Sequence, residues 1–244
     1  MAATSRILPF ADREVDPKGS PLLENGDRLT RDEFERRYKA MPHLKKAELI
    51  DGVVYMPSPV SVPDHGDPHS QAGVWLGLYA VRTPGVRSSD NGSINLDVDN
   101  MPQPDLSLRI QAENGGRAGI GLDGYLDDAP ELIFEVASSS VSYDLHQKLR
   151  VYQRHGCPEY VVWRVRDRAI SWFVLREGGY EPLTPGPDGV LRSEVFPGLW
   201  LDPAALVADD MQRVLAILDE GLASAEHAAF IATLLQRHPI EGPS

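Results

Sequence analysis

The sequence predicts a mixed α/β fold: a central mixed β-sheet flanked by helices, with a C-terminal helical extension. Three observations lead there. Leu132–Ala137 is a short, nearly continuous apolar run, as expected of a central strand buried on both faces. Stripes at helical spacing lie on either side of it in the chain, Val74, Trp75, Leu78 and Tyr79 before and Leu145, Leu149 and Tyr152 after. Over residues 203–238 the composition turns helical, rich in Ala, Leu and Glu. At 244 residues, 42% of them hydrophobic and 25% charged, the chain is long and apolar enough for one sizeable core.

Residues 1–28, rich in Pro, Gly and charge without a sustained period, read as an irregular arm. A helix to about Ala40 follows, with Thr30 and Glu33 as a capping box, Phe34 and Tyr38 as its apolar stripe and Pro42 as its stop. Residues 47–56 alternate around Asp51-Gly52, the signal of a hairpin with a tight turn, and Pro57 and Pro59 close its second strand. A helix over 69–82 stops at Pro84-Gly85. Strands resume over 94–98 and, after the Met101-Pro102 break, over 105–110, where Leu106 and Leu108 take one face and Asp105 and Ser107 the other. The central strand leads into a helix over 142–155, ended by Gly156 and Pro158. Residues 159–165 and 169–175 pair as a hairpin around Arg166-Asp167-Arg168. Loops at 178–179 and 182–189 are followed by a short strand before Pro197. In the last segment Met211, Val214, Leu215, Leu218 and Leu222 form a stripe suited to docking or to a homodimer. The expected division is an arm over 1–28, a main domain over 29–202 and the extension over 203–244.

The first residues, MAATSRILPF, carry no apolar stretch with a cleavage pattern, and no later run approaches membrane-spanning length. A cytoplasmic protein without a membrane partner is expected. Cys157 is the only cysteine, which excludes an intrachain disulfide and cysteine-rich zinc sites. With 24 basic against 36 acidic residues the net charge is -12, which excludes affinity for nucleic acid through broad electrostatics. Contact with a polyanion would need a local basic patch or bound divalent cations.

Glu135 sits inside Leu-Ile-Phe-Glu-Val-Ala, where an ionised carboxylate costs several kcal/mol unless a cation compensates it. A lysine, an arginine or a metal would serve. Pro104-Asp105 opens the preceding strand; if the two strands are adjacent, both carboxylates converge on one hard cation with oxygen ligands. Asp144 and Lys148, spaced i,i+4, share a helical face with Tyr152 a turn further on. Alone they would be a solvated ion pair; on the helix that leaves the Glu135 strand, they hang over the same place. His65 and His69 resemble half a zinc site, but Gly66 and Pro68 interrupt any helix between them and no third ligand follows. They read as a surface loop, with His69 at a helix start able to meet phosphate. Ser138, Ser139 and Ser140 read as a helix cap, and Trp163, Trp172 and Trp200 as sheet packing.

Glu48-Leu49-Ile50-Asp51-Gly52, Pro104-Asp105, Glu135-Val136-Ala137-Ser138, Asp144 with Lys148 and Tyr152, and Gly156-Cys157-Pro158-Glu159-Tyr160 resemble, in order and spacing, the Uma-two family. That family is classed with the restriction endonucleases of the PD-(D/E)XK nuclease superfamily, and the resemblance covers about residues 29–200. It implies a restriction-endonuclease-like core acting on DNA. Asp105 and Glu135 would be magnesium ligands, with manganese able to substitute and the Val136 carbonyl as a third ligand. Glu48 would be an additional acidic residue. The superfamily's usual lysine two residues after the Glu is replaced by Ala137, and the resemblance puts the amine on the next helix, at Lys148, to assist the attacking water. Two rivals stand beside an endonuclease. One is a catalytically silent nuclease-fold module binding DNA or a protein, which the net charge favours. The other is a carboxylate-pair glycosidase, disfavoured because no sugar-stacking aromatic pattern surrounds Asp105.

Overall fold

A computed structural model describes residues 15, 19, 21–56 and 61–237. Along the chain come α1 (Arg31–Lys39), β1 (Glu48–Ile50), β2 (Val53–Tyr55), α2 (Asp67–Arg82), β3 (Val86–Asp90), β4 (Ile94–Asn95), β5 (Leu106–Ile110), β6 (Gly119–Ile120), β7 (Leu126–Asp127) and β8 (Leu132–Ala137). Then α3 (Val141–Tyr143) passes through a π-helical turn, Asp144–Lys148, into α4 (Leu149–Arg154). Strands β9 (Glu159–Arg164), β10 (Ala169–Arg176), β11 (Gly179–Pro182), β12 (Leu191–Arg192) and β13 (Trp200–Leu201) precede α5 (Pro203–Val207), α6 (Met211–Leu222) and α7 (Ala225–Arg237).

Six strands form the central sheet in the order β11-β10-β9-β8-β5-β3. It is mixed: β8 and β9 run parallel and the other neighbours antiparallel. Strand β8 is buried along its whole length, and its alternation sorts two cores. Leu132, Phe134 and Val136 pack with Trp75, Leu76 and Tyr79 of α2 and with Val214 and Leu218 of α6. Ile133 and Ala137 face the opposite side, against Tyr152 and Tyr160. Glu135 shares that second face, which brings it under α3 and α4. Large rings hold the first core: Trp75 lies 6.3 Å from Phe134 and 6.0 Å from Trp172 between ring centroids. Burying each such ring contributes a few kcal/mol, ~25 cal/mol for each Å² of apolar area.

The β1–β2 hairpin turns at Asp51 and Gly52, both with positive φ (48° and 72°), the left-handed pair that its Asp-Gly signal requires. A third small core joins the hairpin to Leu23 and Phe34. The part of the arm within the described residues is irregular but tied down, since the Gly26 N–H donates to the Val54 carbonyl and the Val54 N–H to the Asp27 carbonyl. The remainder of the arm, Pro57, Pro59 and the final His238 of the expected C-terminal helix lie outside the described residues.

Several expectations need correction. Thr30 stands at the N-cap of α1 without a side-chain capping bond, because Glu33 turns to Arg36 and Arg37 instead. Ser140 likewise makes no capping bond and interacts with the Asp144 carboxyl. Gly66 and Pro68 do not break the chain before α2. Residues Val62–Gly66 form a π-helical turn that runs into it, with Pro68 in the first turn, where its missing N–H costs nothing. The strand expected over 94–98 shrinks to β4, and β3 and β11 were not foreseen. Both are sheet edges: Val86-Arg87-Ser88-Ser89-Asp90 buries only its valine, and β11 contains Gly179 and Pro182. The C-terminal stripe is spent within the chain, with Val214 and Leu218 buried in the first core and Met211, Leu215 and Leu222 packed against it. The stripe docks within the chain, and Met211, Leu215 and Leu222 stay partly accessible at its rim.

Candidate active site

Strands β5 and β8 are neighbours in antiparallel register, Leu106 opposite Phe134 and Leu108 opposite Leu132. Continuing that register one step sets Asp105 opposite Glu135, and a further step sets Pro104 opposite Val136. Proline has no N–H, so the ladder ends there and leaves the backbone polar groups of Val136 to other partners. The Val136 N–H donates to Asp105 Oδ2 at 2.9 Å, and the Asp105 N–H points to Glu135 Oε2 at 3.4 Å. The Val136 carbonyl lies 3.1 Å from His65 Nδ1. The Pro-Asp pair thus does two things at once, stopping the ladder and supplying the carboxylate that replaces it.

Four buried carboxylates gather here, Glu48, Asp105, Glu135 and Asp144. Lys148 Nζ lies 2.8 Å from both Glu135 Oε1 and Glu48 Oε1 and 3.9 Å from Asp144 Oδ1. The Tyr152 hydroxyl donates to Glu135 Oε1 at 3.2 Å, and the Gln103 N–H to Glu48 Oε1 at 2.8 Å. On the other flank Lys46 Nζ is 2.8 Å from Asp105 Oδ1, with His65 Nε2 at 3.7 Å from the same oxygen. A cavity of about 800 Å³ opens over the cluster. The two π-helical turns, carrying His65 on one side and Asp144 with Lys148 on the other, both reach its wall. Such insertions widen a helix locally and are frequent at functional sites.

Burial dominates the electrostatics. It pushes the Glu135 carboxyl up to about 8, against the pull of Lys148, with Asp105, Asp144 and Glu48 adding repulsion. Asp144 moves up for the same first reason. At Asp105 burial works the other way from the outcome: Lys46, then His65 and Lys148, hold it below the usual carboxylate range. Lys148 is opposed by burial yet held well above the ordinary lysine value by Glu135, Glu48 and Asp144. Counted with all four carboxylates ionised, the state that ligation of a cation would require of Glu135, two ammonium groups leave an excess of two negative charges.

The donor set fits a hard divalent cation. Asp105, Glu135 and the Val136 carbonyl are all oxygen donors, and the excess charge matches. Among the described residues no three His, Cys, Asp or Glu side chains stand together as a preformed metal site, so the carbonyl is needed to complete the set.

The residues singled out in the sequence, Asp105, Glu135, Val136, Glu48, Lys148, Asp144 and Tyr152, therefore come together. His69 stands further out on the cavity wall, 3.3 Å from Asp90 Oδ1 but out of hydrogen-bond alignment. Sequence reasoning missed Lys46 and misplaced His65, which is no surface-loop residue but faces Asp105 and Val136. The signal for Lys46 was its spacing: two residues before Glu48, on an extended segment, puts amine and carboxylate on one face. The ion pair of Asp144 and Lys148 is buried rather than solvated.

A mixed sheet with a buried acidic pair at the end of two neighbouring strands, backed by a helix that delivers an amine, defines a protein with a nuclease fold. The chain belongs to the Uma-two family, "Putative restriction endonuclease", which matches residues 31–204. No protein of curated function matches it. Among solved structures it is similar to a crystal structure described as a putative nuclease from Anabaena variabilis, with a TM-score of 0.52 and 16% identity over 73% of this chain and 99% of that one. Among the described residues no helix is long and apolar enough to cross a membrane.

Proposed function

We propose that the chain is a magnesium-dependent endonuclease that hydrolyses DNA phosphodiester bonds in the cavity over β5 and β8, with manganese able to replace magnesium. The observation that carries this reading is the meeting of Asp105 and Glu135 from neighbouring strands beside a carbonyl without a ladder partner. Asp105, Glu135 and the Val136 carbonyl would hold the cation, which when bound supplies charge neutralisation and Lewis acidity at a phosphodiester. The chain's own groups do the rest. Tyr152 and Lys148 fix the Glu135 carboxylate, and Glu48, anchored by the Gln103 N–H, fixes Lys148 in turn. Lys148 orients the attacking water and offsets charge developing on the phosphoryl oxygens. Asp144 adds to the field that keeps Lys148 protonated, and His69, at the start of α2, is an auxiliary contact for phosphate. The proposal includes a cytoplasmic location and a homodimer, since cutting both strands of a duplex suits two copies related by symmetry.

The test is incubation of the purified chain with linear, supercoiled and single-stranded DNA in magnesium, manganese or EDTA. Cleavage is expected with either metal, and none with EDTA or in Asp105→Ala and Glu135→Ala. A wild type that leaves every DNA form intact with both metals favours the silent module. The observation on that side is that Lys46 and Lys148 already neutralise the two carboxylates.

A further inference from the structure

Two amines meet the acidic cluster, and they are not equivalent. The Lys148 side chain is 3% exposed, and carboxylates take two of its donors, Glu48 and Glu135 at 2.8 Å, with the Asp144 carboxylate 3.9 Å away. Lys46 approaches from the side, on the cavity wall, with 22% of its side chain exposed. An ammonium group carries three donors. One of those of Lys46 goes to Asp105 Oδ1 at 2.8 Å, and among the described residues no second acceptor lies within hydrogen-bond distance. Its other donors are left for whatever occupies the cavity, next to the oxygens a phosphodiester must approach. A compact, strongly hydrated charge on a flexible stem suits a phosphate oxygen. In a chain of net charge -12, this is also where a cation is most needed.

We infer that Lys46 contacts substrate, binding a non-bridging oxygen of the phosphate to be cut, while Lys148, held by Glu135 and Glu48, keeps its place at the attacking water. The inference rests on the nuclease reading and adds a residue to it. It divides the labour of the two amines: loss of Lys46 is felt first in binding, loss of Lys148 in the cluster and in the chemical step. It also bears on the charge objection, because Lys46 puts a positive charge on the wall of the cavity that the polyanion would enter.

The experiment is fluorescence anisotropy of a labelled duplex against the full chain, with calcium in place of magnesium, over a series of salt concentrations. Each phosphate contact contributes a slope of about -0.9 to log K against log salt, so its loss weakens binding about 8-fold at ~0.1 M salt. Lys46→Met is expected to lose that slope and that affinity, and Lys46→Arg to recover both. Lys39→Met removes the same charge outside the cavity, where Lys39 pairs with Glu35 at 2.9 Å, and is expected to keep wild-type binding. Wild-type slope and affinity in Lys46→Met would overturn the inference and leave the nuclease reading standing. A wild type that neither binds nor cuts DNA would overturn both. Should Lys46→Met fail to fold, reductive methylation of wild-type Lys46, read by peptide mass spectrometry, decides: protection by duplex supports the contact, and equal labelling with and without duplex refutes it.

Discussion

Lys148→Met removes the only ammonium group that touches Glu135 and Glu48 among the described residues, and it does so where the side chain is 3% exposed. A methionine of similar length fills the space but leaves two carboxylates facing each other without a counter-charge, with Asp144 close behind. Removing one partner of a buried pair costs about 3–5 kcal/mol. In a chain of this size about 2–4 °C of melting temperature goes with each kcal/mol, so the variant should melt roughly 6–20 °C below wild type. Thermal unfolding by circular dichroism at pH 7 without divalent cations measures it. The double variant Lys148→Met with Glu135→Gln should recover part of the loss, because one of the stranded charges is gone. A Lys148→Met protein that melts within ~2 °C of wild type would refute the reasoning, since it would mean that the carboxylates do not need this amine.

Asp105→Asn and Glu135→Gln should each bring metal-dependent DNA cleavage to background while the far-ultraviolet circular dichroism stays that of wild type. Tyr152→Phe removes one hydrogen bond to Glu135 Oε1 and should cost about 0.5–1.5 kcal/mol in a denaturant titration, with a drop in cleavage of ~10-fold or more from the freed carboxylate. Glu159, fully buried and held by the Ser193 hydroxyl and the N–H groups of Glu194 and Val195, is pushed up by burial to about 7. The folded state then holds a proton the unfolded chain has released. The stability this confers is whole below the ordinary glutamate pKa of about 4.3 and lost as pH rises through about 7. Melting temperatures of wild type and Glu159→Gln across pH 5 to 8 should therefore show wild type losing ground as pH rises, and parallel curves would contradict this.

Much of the architecture follows from local patterns that physics enforces. The apolar run of β8 has to be central, because all six of its residues are buried, and the Asp51-Gly52 pair has to turn, because both positions need positive φ. What escaped was governed by tertiary context. Edge strands β3 and β11 are held by backbone pairing on one side alone, so their sequences carry little apolar signal. The π-helical turns at Val62–Gly66 and Asp144–Lys148 escape a 3.6-residue period, yet they put His65 and Lys148 where they are. Of the candidate site, Asp105, Glu135 and Lys148 were readable because a charge on a buried strand demands a partner. Lys46 was legible only through its spacing from Glu48, since its partner Asp105 is 59 residues away. The C-terminal stripe was legible as a face to be covered, but the sequence does not say by what, and the structure covers it with the chain's own first core.

The proposed chemistry needs a divalent cation held by Asp105, Glu135 and the Val136 carbonyl. Anomalous diffraction from a crystal soaked in manganese tests it most directly. A peak at about 2.1 Å from oxygens of Asp105, Glu135 and Val136, gone in Asp105→Asn, is the predicted result. Absence of a peak there, with Lys46 and Lys148 still seated on the two carboxylates, would contradict it.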